Sequence, residues 1–167
     1  STSKTINKDN SLLNCRLDGL NNYKPDLIII DRNLSLKKKL KLFNITNRRR
    51  TYIVTTSNNA KKISFLKFKK IKVIQLSSLK YKEDFDYLFQ ILFKKGKRRL
   101  LIESGLIFLK TLLDFKLLNH LYIFKSDQKL KKDGFNNIKM TGLFKLSNYK
   151  KIGINLDNEQ LYKMRLK

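Results

Sequence analysis

The chain has 167 residues, and its 38 lysines and arginines outnumber 13 aspartates and glutamates to give a formal net charge of +25. This length suits one domain with its own core, and 41% hydrophobic residues with 31% charged residues exclude a disordered chain. The longest apolar runs are strand-sized, far below the roughly 18 residues that a membrane span needs. We therefore expect one domain over residues 1–167 and no membrane segment.

Cysteine and histidine each occur once, as Cys15 and His120. A single cysteine allows no internal disulfide, so a reducing compartment, the cytoplasm, is the simplest expectation. One histidine and one cysteine also leave no zinc site built from these residue types. We expect no bound metal.

The positive charge has two interpretations. It indicates a binder of polyanions, because lysine and arginine neutralise phosphates. It also fits compositional drift in an AT-rich genome, since lysine, asparagine and isoleucine are all abundant and the lysines are spread along the whole chain. We favour drift and expect nucleic acid to bind only non-specifically.

The first half of the chain predicts strands and one amphipathic helix. Short β-branched runs predict strands at 26–31, 51–56 and 71–76. From 83 onward the apolar residues follow a helical period, with acidic residues near the start and lysines before Gly96, which suits a helix dipole and a glycine stop.

The second half predicts a crossover and a hairpin. An apolar triad at 100–102, an amphipathic helix at 106–115 and a strand at 121–124 form a strand–helix–strand pattern, which is typical of a parallel pair. Residues 145–156 and 160–166 predict an antiparallel hairpin. The fold class is therefore α/β, with a mostly parallel sheet and an antiparallel C-terminal hairpin.

The junction Glu103-Ser104-Gly105 lies between the predicted strand and helix. Ligands collect at the carboxyl ends of strands in open α/β sheets, and a glycine beside a new helix lets a phosphate approach free backbone N–H groups. Alternatively, the glycine only makes the turn and the glutamate only favours the helix start. The common glycine-rich nucleotide fingerprints are absent from the chain.

A second polar constellation lies near the N-terminus, where Thr5 and Asp9 are four residues apart and Arg16 follows. The first two can share one face of a helical turn, and an arginine can hold a phosphate in a bidentate manner. The alternative is a polar loop without function.

Five segments in order resemble the reductase domain of the bifunctional riboflavin-biosynthesis deaminase–reductase family. Residues 5–16 are similar to its T-x-x-x-D-[DN]-P-x-L-x-x-R stretch, and 25–31 to its P-x-R-[IV]-V-[IL]-D strand. Residues 50–56 occupy the next strand. Residues 101–105, followed by two leucines, resemble the E-[GA]-G segment, and 117–124 the strand after it.

The resemblance implies a three-layer dihydrofolate-reductase-like fold and a homodimer. It implies NADPH-dependent reduction of the ribosyl group of 5-amino-6-(5-phosphoribosylamino)uracil to a ribityl chain. The family's first strand and helix are expected before Ser1. The chain contains neither H-x-E nor P-C-x-x-C, the signature of the family's zinc deaminase domain, so we expect that domain to be absent from it.

The resemblance also assigns residue roles. Leu13, Arg16 and Glu103 are implied to meet the substrate, with Arg16 near its phosphate. Arg32 stands where the family often has a small hydroxyl residue near NADP, and an arginine there could meet a cofactor phosphate. Asp9 and Glu103 are the two candidates for a catalytic acid. The residues implied to bind the cofactor are Thr5, Asp9, Ser104, Gly105, Leu106, Ile107, Phe108 and Leu109.

Two other functions stay open. The charge would suit a basic nucleic-acid-binding or ribosome-associated module, although no RNA-recognition, KH or helix-turn-helix signature is present. The chain could also be an inactive reductase-like fragment that keeps the fold without the activity.

Overall fold

A computed structural model describes residues 1–14, 25–46, 48–126, 149–154 and 159–167. The chain divides into two compact units, Ser1–Gly105 and Leu106–Lys167. Each unit contains one three-stranded sheet.

The sheet of the first unit is parallel. Its strands are β1 (Leu27–Ile30), β2 (Thr51–Thr55) and β3 (Lys72–Gln75), in the order β1-β2-β3. The β-branched runs of the sequence thus form strands where they were predicted. All five residues of β2 are buried, as expected of a central parallel strand that is covered on both faces.

One face of this sheet packs into a continuous apolar core. Inward residues of β1 and β2 meet side chains from α1 (Ser3–Asp9), a 3₁₀ turn (Lys41–Asn44) and α2 (Ala60–Phe68). The buried members of this core are Ile6, Leu27, Ile29, Leu34, Leu40, Leu42, Phe43, Ile53, Ile63, Leu66 and Ile71.

The predicted helix near residue 83 is α3 (Lys82–Lys94). It begins where the carboxylate of Asp84 accepts hydrogen bonds from the backbone N–H groups of Lys80 (2.8 Å) and Tyr81 (2.9 Å). It ends before Gly96, whose φ of +79° is the left-handed conformation that glycine adopts without strain. The prediction of this helix, including its acidic start and glycine end, is confirmed.

Helix α2 was not predicted from the sequence. Its apolar residues do not form one clear stripe, because Ile63 and Leu66 are buried while Phe68 is 82% exposed. The local signal is its N-cap, where the Asn59 side chain accepts a hydrogen bond from Lys62 N at 3.0 Å.

The second unit contains helix α4 (Leu106–Asp114) and an antiparallel sheet. The strands β4 (His120–Lys125), β5 (Lys150–Ile152) and β6 (Gln160–Arg165) lie in the order β4-β6-β5. The C-terminal hairpin is therefore confirmed at β5 and β6. Residues 145–148 and 155–158 of the predicted hairpin region lie outside the described residues.

The prediction of a strand at 100–102, and of a crossover from it to β4, is wrong. Leu100 and Leu101 are 40% and 85% exposed and belong to no strand. The free edge of β1 is instead paired with the start of the chain, since Ile30 N donates to Ser1 O at 2.9 Å. Strand β4 pairs antiparallel with β6. An apolar triad predicts burial, but it becomes a strand only where a sheet edge accepts its hydrogen bonds.

Within the described ranges, no helix is both long and apolar enough to cross a membrane. The same residues bring together no group of three or more histidine, cysteine, aspartate or glutamate side chains that could hold a metal ion. The fold class, α/β with a parallel sheet and an antiparallel C-terminal sheet, is confirmed.

Candidate active site

Helix α1 places Thr5 and Asp9 on one face, as their spacing predicted. The helix begins at Thr2, whose hydroxyl accepts a hydrogen bond from Thr5 N at 3.4 Å and lies 3.1 Å from the Thr5 hydroxyl. Ile6 is fully buried and anchors the opposite face in the core. Because Thr5 and Asp9 are separated by four residues, their side chains project to the same side.

The loop after α1 is held in a defined conformation. Asn10 ends the helix in the left-handed region (φ 46°), which asparagine tolerates, and its side chain accepts a hydrogen bond from Lys41 N at 2.9 Å. Leu13 also has a φ of 46°, an uncommon conformation for a non-glycine residue. Such a conformation persists only when its surroundings fix it.

Arg49 supplies that fixation. Its guanidinium donates hydrogen bonds to the carbonyl oxygens of Leu12, Leu13 (2.8 Å) and Pro25, and the residue is 5% exposed. Burial lowers the pKa of the Arg49 guanidinium, and the negative charge of Asp26 partly offsets this change. Two charge-assisted bonds therefore hold this loop against the amino end of β2, and the third holds Pro25, which lies before β1.

This helix and loop form one wall of a cavity of about 350 Å³, which we call the first cavity. Glu103, just before the end of the first unit, also lines it. The residues that line it are Thr5, Asp9, Asn10, Ser11, Leu12, Leu13, Asn14, Lys41 and Glu103. Three separate segments of the chain thus meet at one site, and the first and the last of them are almost a hundred residues apart.

The polar groups of the first cavity keep unused hydrogen-bonding capacity. Among the described residues, the carboxylates of Asp9 and Glu103 have no hydrogen-bond or ion-pair partner. The Thr5 hydroxyl has one partner, the Thr2 hydroxyl, and a hydroxyl can both donate and accept. The cavity therefore offers two carboxylates that accept hydrogen bonds, and one hydroxyl that can donate or accept, to a bound polar molecule.

Four residues with predicted roles are brought together here, namely Thr5, Asp9, Leu13 and Glu103. Arg32 is not among the lining residues. It is exposed in the turn after β1, where its carbonyl oxygen accepts hydrogen bonds from the hydroxyls of Thr55 and Thr56 at 2.8 and 3.2 Å. Arg16, the predicted phosphate ligand, lies outside the described residues.

The remaining predicted residues follow Glu103 in the chain. Ser104 and Gly105 end the first unit and do not line the first cavity. No atom lies within 4 Å of the position that a Cβ would take on Gly105, so protein packing does not require glycine there. The predicted cofactor residues of the second unit are in the first turn of α4 and are Leu106, Ile107, Phe108 and Leu109.

Sequence reasoning missed Arg49 and Lys41. Arg49 stands in the run Arg48-Arg49-Arg50, and the sequence does not show which of three adjacent arginines is buried. The one local indication that Arg49 is buried is its position two residues before a strand that is fully buried. Lys41 belongs to a 3₁₀ turn in a lysine-rich stretch and carries no distinctive pattern.

Comparison with a protein-family model shows to which family the chain belongs. The model of the RibD C-terminal domain matches residues 1–126. The chain belongs to the RibD C-terminal domain family. The resemblance to riboflavin-biosynthesis reductases is thereby confirmed at the level of the family, and the match includes every lining residue of the first cavity.

Solved structures give the same fold. The chain is similar to two forms of Acinetobacter baumannii RibD, each with 18% sequence identity and a TM-score of 0.71. Each alignment covers 98% of this chain and 45% of the RibD chain, so this chain spans less than half the length of these relatives. The dihydrofolate-reductase-like fold is confirmed. No curated protein matches the chain.

Proposed function

We propose that the chain is a reductase domain that uses NADPH to reduce 5-amino-6-(5-phosphoribosylamino)uracil to its ribitylamino product. The observation that carries this proposal is the first cavity. Thr5, Asp9, Leu13 and Glu103, which come from distant segments with separately predicted roles, line it together. Membership in the RibD C-terminal domain family supports the same reaction class.

The residues present fit a dinucleotide. The Thr5 hydroxyl and the Asp9 carboxylate offer hydrogen-bonding groups that suit ribose hydroxyls or a carboxamide. The open space beside Gly105 leaves room for a phosphate to approach the backbone, and Ser104 precedes it. NADPH would supply the hydride, so the work of the protein is to bind and orient both reactants.

The substrate side of the proposal rests on Leu13 and Glu103. The half-buried Leu13 gives an apolar surface for a pyrimidine ring, in a backbone conformation that Arg49 holds. The Glu103 carboxylate is an acceptor for amino or hydroxyl groups of the substrate. Arg16 would bind the substrate phosphate, and Arg32 is proposed for a phosphate of the cofactor. Reduction also consumes a proton, for which Asp9 and Glu103 remain the two proposed donors.

The proposal includes a homodimer acting in the cytoplasm on a phosphorylated pyrimidine-ribosyl compound. Two matched structures are more than twice as long as this chain, so activity of the 167 residues by themselves is part of what must be tested.

The test is a fluorescence titration with NADPH and with NADH, at low salt and at about 0.15 M salt, where charge attraction is screened beyond about 8 Å. We expect salt-resistant binding with a preference for NADPH. Asp9→Ala should weaken NADPH binding about tenfold, which corresponds to one lost hydrogen bond to a charged group.

The matched control is Asp114→Ala, which also removes one negative charge but on the exposed end of α4, where Asp114 pairs with Lys110. Removing a carboxylate from a chain of charge +25 should strengthen non-specific attraction to NADPH. If NADPH binds more weakly to Asp9→Ala but not to Asp114→Ala, the change in net charge therefore cannot be the cause. Equal affinities in both variants would contradict the site, and binding without turnover would indicate an inactive reductase-like fragment.

A further inference from the structure

A second cavity lies at the amino ends of all three parallel strands, and we call it the basic cavity. It has a volume of about 390 Å³ and shares no lining residue with the first cavity. Asp26 directly precedes β1, while Thr51 and Lys72 are the first residues of β2 and β3. The described residues that line it are Asp26, Thr46, Arg48, Arg49, Arg50, Thr51, Lys70 and Lys72.

The charge of the basic cavity exceeds what composition explains. Five of its eight lining residues are lysine or arginine, against 38 of 167 in the whole chain. Compositional drift spreads lysines over a convex surface, where water and salt screen them. A concave site in which one sign of charge is in large excess, here five cations against the carboxylate of Asp26, instead focuses the field and raises the local concentration of counter-ions. The basic cavity is therefore a candidate site for an anion.

Two of the five cations already have partners. The guanidinium of Arg49 donates hydrogen bonds to the three backbone carbonyl oxygens described above. Arg50 donates from Nε to the Asp26 carboxylate at 3.2 Å, and Lys97 forms a second ion pair with the same carboxylate. These groups build the wall of the cavity.

Three cations remain for a ligand. Within the described part of the chain, the side chains of Arg48 and Lys70 form no hydrogen bond and no ion pair. The Lys72 ammonium lies 5.8 Å from the centre of the Tyr52 ring and likewise has no carboxylate partner there. Neighbouring like charges repel each other, and a bound anion would remove that repulsion.

We propose that the basic cavity binds an oligophosphate, an anion with two or more linked phosphate groups. The planar fork of Arg48 suits bidentate contact with one phosphate, and the ammonium groups of Lys70 and Lys72 suit the charge of another. The positions favour a small anion over a nucleic acid. Among the residues that the structure describes, none that lines the cavity is aromatic, and the nearby Tyr52 is 3% exposed, so these residues offer no platform on which bases could stack.

The test uses inorganic tripolyphosphate as the probe and isothermal titration calorimetry on the 167-residue chain at about 0.15 M salt, where distant charges are screened. We expect saturable binding with one site. The double variant Arg48→Gln/Lys70→Gln should weaken it at least about tenfold, since each residue contributes a charge-assisted contact. Arg49 and Arg50, which hold the wall, are left unchanged, and circular dichroism checks the fold.

The matched control is Lys61→Gln/Lys67→Gln, which removes the same charge from exposed positions of α2. It should change the affinity less than about twofold. Asp9→Ala should not weaken tripolyphosphate binding, because Asp9 lies in the first cavity. This separates failure of the basic cavity from failure of the proposed NADPH site.

Several results would overturn the proposal. Equal weakening in the double variant and its lysine control would assign the affinity to net charge, and so would binding that does not saturate at this salt concentration. The result would also be contrary if a single-stranded RNA displaced tripolyphosphate as effectively as unlabelled tripolyphosphate does at the same phosphate concentration. The basic cavity would then be part of a nucleic-acid surface. Orthophosphate that binds as tightly as tripolyphosphate would show that linked phosphates are not recognised.

Discussion

The parallel and antiparallel sheets of this chain differ in how they are covered. Every residue of β2 in the parallel sheet is buried. In β4 of the antiparallel sheet, Leu121 is buried, whereas Tyr122 and Phe124 are 45% and 63% exposed. Parallel strands are usually covered on both faces, and antiparallel strands often keep one face in water. We infer that the first unit has the larger share of tightly packed, substitution-sensitive positions.

Both cavities belong to the unit with the parallel sheet. The basic cavity opens at the amino ends of the parallel strands. The first cavity is lined by α1, the loop after it, the 3₁₀ turn and Glu103, and both α1 and the 3₁₀ turn are anchored in the apolar core. Binding residues are commonly placed on loops over such a rigid scaffold. The difference between the two sheets therefore concerns function as well as stability.

The largest expected effect is that of Ile53→Ala, at the centre of β2. Ile53 is fully buried, so the truncation removes buried surface and leaves a hole. We expect a loss of about 2–5 kcal/mol in the free energy of unfolding. The measurement is urea denaturation followed by circular dichroism.

The matched change in the antiparallel sheet is Tyr122→Ala, on the exposed face of β4. It should cost less than about 1 kcal/mol, as surface substitutions usually do. If the two variants lose similar stability, the contrast between the two sheets is incorrect.

An intermediate effect is expected for Arg49→Met, which keeps an apolar side chain but removes the guanidinium. The carbonyl oxygens of Leu12, Leu13 and Pro25 would lose their donor. We expect a loss of about 1–3 kcal/mol, because unsatisfied buried polar groups carry that cost. NADPH affinity should fall as well, since the loop at Leu13 lines the first cavity.

Arg50→Met is the control, with the same substitution one residue later. The Arg50 side chain is 65% exposed, and Asp26, which is 16% exposed, keeps its second ion pair with Lys97, so the loss of the Arg50 guanidinium should cost less than about 1 kcal/mol. Thermal melting and the NADPH titration on both variants test the difference. An unchanged NADPH affinity in Arg49→Met would show that the guanidinium does not position the loop.

Local patterns predicted much of this fold. The runs at β1, β2 and β3 are strands because buried parallel strands are continuous apolar segments. Helix α3 shows both its period and its ends, through Asp84 and Gly96. The spacing of Thr5 and Asp9 was enough to place both on one face of α1.

What failed depended on tertiary pairing. The triad at 100–102 is as apolar as a strand, but local sequence does not reveal that Ser1 occupies the edge of β1. The clustering of Arg48, Lys70 and Lys72 in one cavity follows from the order of three strands, so it too is invisible in the sequence. In the sequence alone, these residues belong to separate short basic runs among many others along the chain.

The smallest expected effect concerns the start of α3 in the first unit. The hydrogen bond from the backbone N–H of Tyr81 lowers the pKa of the Asp84 carboxyl below its ordinary value of 3.8, and hydrogen bonds from Ser78 and Lys80 act in the same direction. A carboxyl with a lowered pKa in the folded state stabilises the fold above its unfolded pKa, and this contribution disappears as the pH falls through the folded pKa.

Asp84→Asn should therefore lower the Tm slightly at neutral pH. The difference from the unaltered chain should shrink as the pH falls below the ordinary carboxyl pKa of 3.8 and disappear once Asp84 is protonated in the folded state. Asp86→Asn, two residues later on the same helix, is the control. The Asp86 carboxylate pairs with the exposed Lys82 at 2.5 Å and caps no backbone N–H. It should lower the Tm less than Asp84→Asn does at neutral pH.

A Tm difference for Asp84→Asn that stays the same from neutral to acidic pH would mean that the charge of Asp84 does not stabilise the start of α3. The sensitivity of the first unit would then come from apolar packing and Arg49, with no contribution from this cap.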